Sequence, residues 1–255
     1  MVWSEYFDNI CHTPTNLDRI TGFDRAGSVG EYRMIAQNLA AISRKIEEAT
    51  IAAVRDVSEI TLIGVTKTKP LEMIKEAFEA GLTDVGENYV EDFSDKQTSY
   101  HPSGLNYHFI GRLPTKKVRK IVGKAHLIHS VGSIKLAKKI DFVSFEEKVC
   151  QDILIQVNQG GELSKSGIEP DDLEGLVEEA LALPNIRICG LMSIPPFHEP
   201  AQPYFTQLRH LRDNLQEKTG TELPFLSMGM SGDFAEAISE GATHIRVGTA
   251  IFGSR

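Results

Sequence analysis

Cysteine is scarce in this sequence. Cys11, Cys150 and Cys189 lie far apart in 255 residues. That spacing excludes a disulfide framework and a thiolate metal cluster, and it points to a reducing, cytoplasmic setting. Positive charge is short as well. Lys and Arg number 27 against 35 Asp and Glu, for a net charge of -8, which argues against nucleic-acid partners, since those require clustered cations. The one locally basic stretch, Lys116-Lys117-Val118-Arg119-Lys120, reads as the solvated face of a helix. No apolar run is long enough to span a bilayer. The first residues show no basic region followed by an apolar core, so neither a membrane anchor nor a signal peptide is expected. No repeat or low-complexity linker marks a second domain.

The patterning that is present begins with ITLIGVTKTK (60–69). It is apolar or β-branched until Lys67, and Pro70 then opens a helix, the signature of a strand buried on both faces. Similar strands are predicted at 84–88, 107–110, 125–129, 152–157, 186–192, 225–227 and 244–247. Helices are predicted between them at 71–80, 89–100, 113–122, 133–144, 170–182, 200–218 and 232–240. A further helix over 29–55 precedes the first strand, with Met34, Ile35, Leu39, Ile42, Ile46 and Ile51 on one face. Eight strands alternating with helices predict a single-domain α/β fold, a parallel (β/α)8 TIM barrel over residues 28–255. The helix at 29–55 is expected to complete the outer ring where a full eighth helix is missing. Residues 1–27 read as an N-terminal extension.

Barrels place their chemistry at the carboxyl ends of the strands. Those ends include Lys67, Gly86-Glu87-Asn88, Gly111-Arg112, His129-Ser130, Asn158, Met192-Ser193, SMGMSGD (227–233) and GTAIFG (248–253). A lysine at a buried strand end suits nucleophilic amine chemistry. The loops after strands seven and eight commonly hold phosphate; Gly229, Gly232 and Gly248 allow close backbone approach, and Ser227 and Thr249 add hydroxyl donors. Ser231 or Asp233 is a candidate cap for the following helix. Arg246, alternating with Ile245 and Val247, is a candidate cation at the barrel mouth. Lysine, phosphate cradle and arginine together fit pyridoxal 5′-phosphate (PLP), and equally an aldolase that condenses directly with a sugar phosphate.

IGVTKTKP (63–70), VGENYVED (85–92), HFIGRL (108–113), GGELSKSGI (160–168), GLMSIPP (190–196), LSMGMSGDFAEAI (226–238) and IRVGTAIFG (245–253) resemble the pyridoxal phosphate homeostasis proteins, whose fold is like the barrel domain of alanine racemase. The resemblance implies Lys67 as the Schiff-base lysine, Ser227, Gly248 and Thr249 at the phosphate, Arg246 facing the pyridine nitrogen and Asn88 lining the pocket. It implies a protein that holds PLP as a lysine aldimine for vitamin B6 and amino-acid homeostasis, storing or delivering it to apo-enzymes without turnover. A monomer is expected, with no catalytic residue and no metal.

The alternative is an amino-acid racemase, which needs a second acid/base; Tyr89, His108, His129 and His198 are the candidates. Lys165 is a second lysine at the rim. Two stretches depart from the family: Leu113-Pro114-Thr115-Lys116-Lys117 follows HFIGR where a glutamine and an asparagine are usual, and Gly132 stands where an aspartate is common.

Overall fold

A computed structural model describes residues 26–160 and 166–253. Most of the expected extension, and Cys11 and Lys165, lie outside the described residues. The chain begins there with helix α1 (Ala26–Ala52). It then alternates through β1 (Thr61–Val65), α2 (Leu71–Glu79), β2 (Asp84–Glu87), α3 (Val90–Ser99), β3 (Asn106–Phe109), β4 (Leu127–Val131), α4 (Ile134–Glu147) and β5 (Gln151–Val157). The sequence ends with α5 (Leu173–Leu181), β6 (Ile186–Ser193), α6 (Gln202–Thr219), β7 (Phe225–Met230), α7 (Phe234–Ser239), β8 (His244–Val247) and the short α8 (Thr249–Phe252). The eight strands are parallel neighbours in chain order, and β8 pairs back onto β1, so the sheet closes into the expected TIM barrel.

Three local differences from the sequence reading have physical causes. Between β3 and β4 the predicted helix is a 3-10 turn over Thr115–Lys120, opened by Pro114, whose fixed φ sits at its N-cap. Its cations lie on the surface, as expected of a solvated face, and are ion-paired there, Lys117 and Lys120 with Glu91 and Arg119 with Glu146 and Glu147. Met34 and Ile51 of α1 face solvent, 52% and 70% exposed; the buried stripe is the narrower Ile35, Leu39, Ile42 and Ile46, and Asn38 Nδ2 ties it to the Ile251 carbonyl at 2.9 Å. Strands β4 and β7 run on beyond their predicted ends, through Val131 and Met230, each past a register shift. A bulge lets a strand continue through residues that read as a turn.

Alternation sorts the strand residues into two layers. Val85, Tyr107, Phe109, Ile128, Ile153, Ile155, Leu226, Ile245 and Val247 point outward into the main apolar core beneath the helices. Inside the barrel a small second cluster, Leu127, Leu154, Cys189 and Met192 with Phe225 against it, fills part of the lumen. The rest of the lumen is polar and buried: Asp84, His108, His129, Ser227, His244 and Arg246 are each at most 8% exposed.

Candidate functional site

Lys67 follows the end of β1 and is half-buried. The residues on either side of it are fixed. Thr66 is fully buried; its hydroxyl donates to Glu87 Oε1 at 2.7 Å, and its carbonyl accepts from Lys96 Nζ at 2.8 Å. Lys96 reaches up from α3 to pair with Glu87 at 2.6 Å. Burial pushes the Glu87 carboxyl above its ordinary value, with the hydrogen bonds from Lys96 and Thr66 pulling the other way. On the far side Thr68 takes φ +64°, a left-handed conformation unfavourable for a β-branched residue. Lys69 Nζ donates to the Phe252 and Gly253 carbonyls at 2.9 and 3.1 Å. The second lysine of TKTKP thus latches the end of α8, while Lys67 makes no hydrogen bond or ion pair to the described residues. The pairing of Gly64 with Val247 continues upward, where Gly248 lies against Val65, so Lys67 and the Gly248-Thr249 turn share one side of the mouth.

Arg246 points inward, 4% exposed. Its Nη1 donates to Ser227 Oγ at 2.6 Å and its Nη2 to the Ser193 carbonyl at 2.9 Å. Burial lowers its pKa to about 10, partly offset by the field of Asp233. Asp233 caps the end of β7 rather than α7, accepting from the Met230 N–H at 2.5 Å.

Ser227 is the third residue of β7, fully buried beneath the mouth, and its hydroxyl is within 2.8 Å of His129 Nδ1. His129 Nε2 meets His108 Nδ1 at 3.0 Å, and His108 Nε2 meets Asp84 Oδ1 at 2.9 Å. Thr83 and Asn106 donate to the same carboxylate at 2.7 and 3.1 Å. The proton positions follow by exclusion. Burial works against Asp84, but the hydrogen bonds of His108, Thr83 and Asn106 outweigh it and hold the carboxyl below its ordinary value, so Asp84 accepts. Burial keeps both imidazoles neutral. A neutral ring has one donor and one acceptor; every donor therefore points the same way, from Arg246 through Ser227, His129 and His108 to Asp84.

The opposite side of the mouth is a cavity of about 200 Å³ between the ends of β2, β3, β5 and β6, lined by Asn88, Ile110, Arg112, Gln156, Asn158 and Ile194 among others. Gly111 makes it possible: a Cβ there would lie 2.0 Å from the Asn88 carbonyl oxygen, so the exits of β2 and β3 meet backbone to backbone. Gly132 has a similar reason to be glycine, since its Cβ would stand 2.8 Å from Gly167 Cα.

Of the residues expected at the site, Lys67, Arg246, Gly248 and Thr249 lie together on the β8–β1 side, Asn88 lines the cavity, and Ser227 sits below as Arg246's support. Tyr89 is half-exposed at the N-cap of α3, and His198 is exposed beside Phe197. His108 and His129 are corrected from strand-end candidates to fully buried lumen residues. The Glu87–Lys96 pair and the lumen carboxylate Asp84 went unread, because Lys96 reaches Glu87 from the following helix and the partner of Asp84, His108, comes from the next strand. Among the described residues no cluster of potential ligands could hold a metal ion, and no helix is long and apolar enough to cross a membrane.

Residues 33–255 match the family model described as alanine racemase, N-terminal domain. A pyridoxal phosphate homeostasis protein of Aquifex aeolicus is 45% identical over 222 residues, covering 86% of this chain and 97% of that protein. The protein of the same name in Escherichia coli K12 is 37% identical over 229 residues, covering 87% and 97%. The solved structure of PipY from Synechococcus elongatus with PLP bound superposes with a TM-score of 0.76 at 35% identity, covering 86% of this chain and all of that one. Alanine racemase of Clostridium difficile, at 13% identity and TM-score 0.67, covers 84% of this chain and 56% of its own and shares the fold alone. With its barrel, its strand-end lysine and these relatives, the chain belongs to the pyridoxal phosphate homeostasis protein family.

Proposed function

We propose that this chain binds PLP in the barrel mouth and holds it through Lys67, as a cytoplasmic, monomeric store that delivers the cofactor to apo-enzymes without turning over a substrate. The observation that carries the reading is Arg246: a buried guanidinium with no carboxylate in contact among the described residues. Two of its five N–H donors go to Ser227 and Ser193. The others suit an uncharged acceptor such as an unprotonated pyridine nitrogen.

The remaining polar groups fit the same ligand. Lys67 supplies an amine without a partner among the described residues, and the Gly248-Thr249 turn offers backbone N–H groups and a hydroxyl to a phosphate on the same side of the mouth. Ser227, held by Arg246 and His129, supports this set from below. Asn88 Oδ1, buried without a protein partner, faces the mouth from β2. When bound, PLP supplies an aldehyde for amine condensation and an electron-withdrawing ring. An arginine donating to the ring nitrogen keeps that nitrogen unprotonated, which makes the ring a weaker electron sink than a pyridinium and suits either a racemase or a protein that carries the cofactor without turnover. Of the racemase alternative's four candidates, His108 and His129 are committed to the relay beneath Arg246, and Tyr89 and His198 stand exposed.

The test is the absorbance spectrum of the protein incubated with PLP, followed by borohydride reduction, digestion and mass spectrometry. A visible band and a reduced pyridoxyl adduct on the Lys67 peptide are expected. A colourless, unmodified protein overturns the reading. Exchange of an amino acid's α-proton in deuterated water would replace storage with turnover.

A further inference from the structure

The half of the mouth across from Lys67 contains polar groups that the cofactor reading leaves unused. Gln156 is the sixth residue of β5, and alternation with Ile155 and Val157 turns it into the lumen. It is 8% exposed, lines the cavity, and its side-chain amide has no partner among the described residues. Its amide therefore opens onto the cavity, a donor and an acceptor offered to whatever enters rather than spent on the fold.

Arg112, at the exit of β3, brings an exposed guanidinium to the same cavity, likewise without an ion-pair partner among the described residues. None of the lining residues is acidic; Glu169 touches the rim only by accepting the Asn158 amide at 2.7 Å. Ile110 and Ile194 form an apolar wall.

We infer that this cavity is a binding site for a small α-amino acid with an apolar side chain. Arg112 and Gln156 take its carboxylate, Ile110 and Ile194 cover its side chain, and its amine is left facing the Lys67 side of the mouth. The chemistry follows from the donors: a guanidinium and an amide together suit a carboxylate, and a charge-assisted pair is the stronger kind of hydrogen bond. A cavity of about 200 Å³ admits a molecule of that size and no polymer. The inference rests on the cofactor reading for its purpose, since it names the class of amine that the mouth would orient toward Lys67. Its existence as a site is tested separately.

The experiment is ligand-detected NMR on the whole protein with three probes: L-alanine, propionate and ethylamine, the PLP content of the same sample being read by absorbance. Propionate has no amine to react with a bound aldehyde, so it reports the carboxylate contact alone. L-Alanine and propionate are expected to bind, with ethylamine weaker. R112A is expected to weaken both carboxylates by about tenfold to a hundredfold, the usual worth of a charge-assisted contact, with R112K between. Q156L is expected to weaken them several-fold, and neither variant should move ethylamine. Wild-type propionate binding in both R112A and Q156L overturns the site, as does ethylamine binding as tightly as propionate. Propionate binding by a protein that takes up no PLP at Lys67 would leave the carboxylate site standing and reject the cofactor reading. PLP uptake without carboxylate binding would do the reverse.

Discussion

Below Arg246 the barrel lumen pairs its polar side chains with one another; above Arg246 it leaves several unpaired. Asp84, His108, His129, Ser227 and Arg246 form a continuous hydrogen-bonded line of five buried residues drawn from β2, β3, β4, β7 and β8. At the mouth, Asn88 Oδ1 and Ser193 Oγ are buried without a protein partner, and Gln156 and Lys67 have none among the described residues. Both regions belong to one closed barrel, so the difference lies in residue choice rather than in architecture. Paired polar groups in a low-dielectric interior lock one arrangement. Unpaired ones store an unfavourable energy that a ligand can relieve. The lower half therefore reads as a mount for Arg246, and the upper half as the surface offered to small molecules.

The sharpest way to break this contrast is at Lys67. K67A is expected to abolish borohydride-trapped PLP entirely while leaving the urea midpoint within about 0.5 kcal/mol of wild type, since the side chain is half-exposed and bears no structural hydrogen bond. Trapped PLP on another lysine, or a large loss of stability, would move Lys67 from the ligand surface into the scaffold.

Acid should strike the lower half next. His108, His129 and His244 are buried and face one another and His126, with Arg246 and Asp84 at the two ends. Burial holds all three below their ordinary value of 6.5, His244 at about 3. The unfolded chain takes up a proton at each near 6.5 and the folded chain does not. Stability is therefore fully present above that value and falls as pH drops through it. Between pH 7.5 and 5 the expected loss is roughly 2 kcal/mol from His244, with His108 and His129 adding to it in the same direction. Urea titrations at the two pH values check this; a flat profile would mean that the histidines are solvated or already charged.

The contrast can also be cut within the relay. His129→Leu removes the link between Ser227 and His108 and leaves both partners buried. A loss of about 2–6 kcal/mol is expected, at 1–3 kcal/mol for each orphaned group. PLP affinity should fall with it, because Ser227 then no longer orients Arg246. His129→Gln should recover part of both. Unchanged affinity in a folded His129→Leu protein would remove the relay from the cofactor's support.

Much of the barrel is legible along the chain, because βαβ units announce themselves locally: an apolar run, a glycine or proline, an amphipathic helix. Lys67 and Arg246 were readable for the same reason, one by its place at a strand end and the other by alternation within HIRVG. The relay was not. Ser130-Val131-Gly132-Ser133 and Met228-Gly229-Met230-Ser231 carry turn residues, so β4 and β7 seemed to stop at His129 and Ser227, which placed both side chains at the mouth. Bulges carry the strands onward and leave those residues inside. The links of the relay are also non-local: His129 and Ser227 are 98 positions apart, and only closure of the barrel brings them together. Local pattern reports which way a strand residue faces; it does not report what stands opposite.

The smallest expected effect separates the two halves by sign. Gln156→Leu keeps nearly the same volume at a lumen position and removes an amide that has no partner among the described residues. Replacing an unpaired polar group with an apolar one of similar shape is neutral or stabilising. The urea midpoint is therefore expected to hold or rise by up to about 1 kcal/mol, while carboxylate binding weakens. The same kind of change at His129 must lower stability, because there both neighbours lose a bond. If Gln156→Leu also destabilises by 2 kcal/mol or more, the amide has a structural partner, and the mouth is built on the same terms as the floor beneath it. If it stabilises, Gln156 is retained at the expense of the fold, which is what a residue kept for a ligand should do.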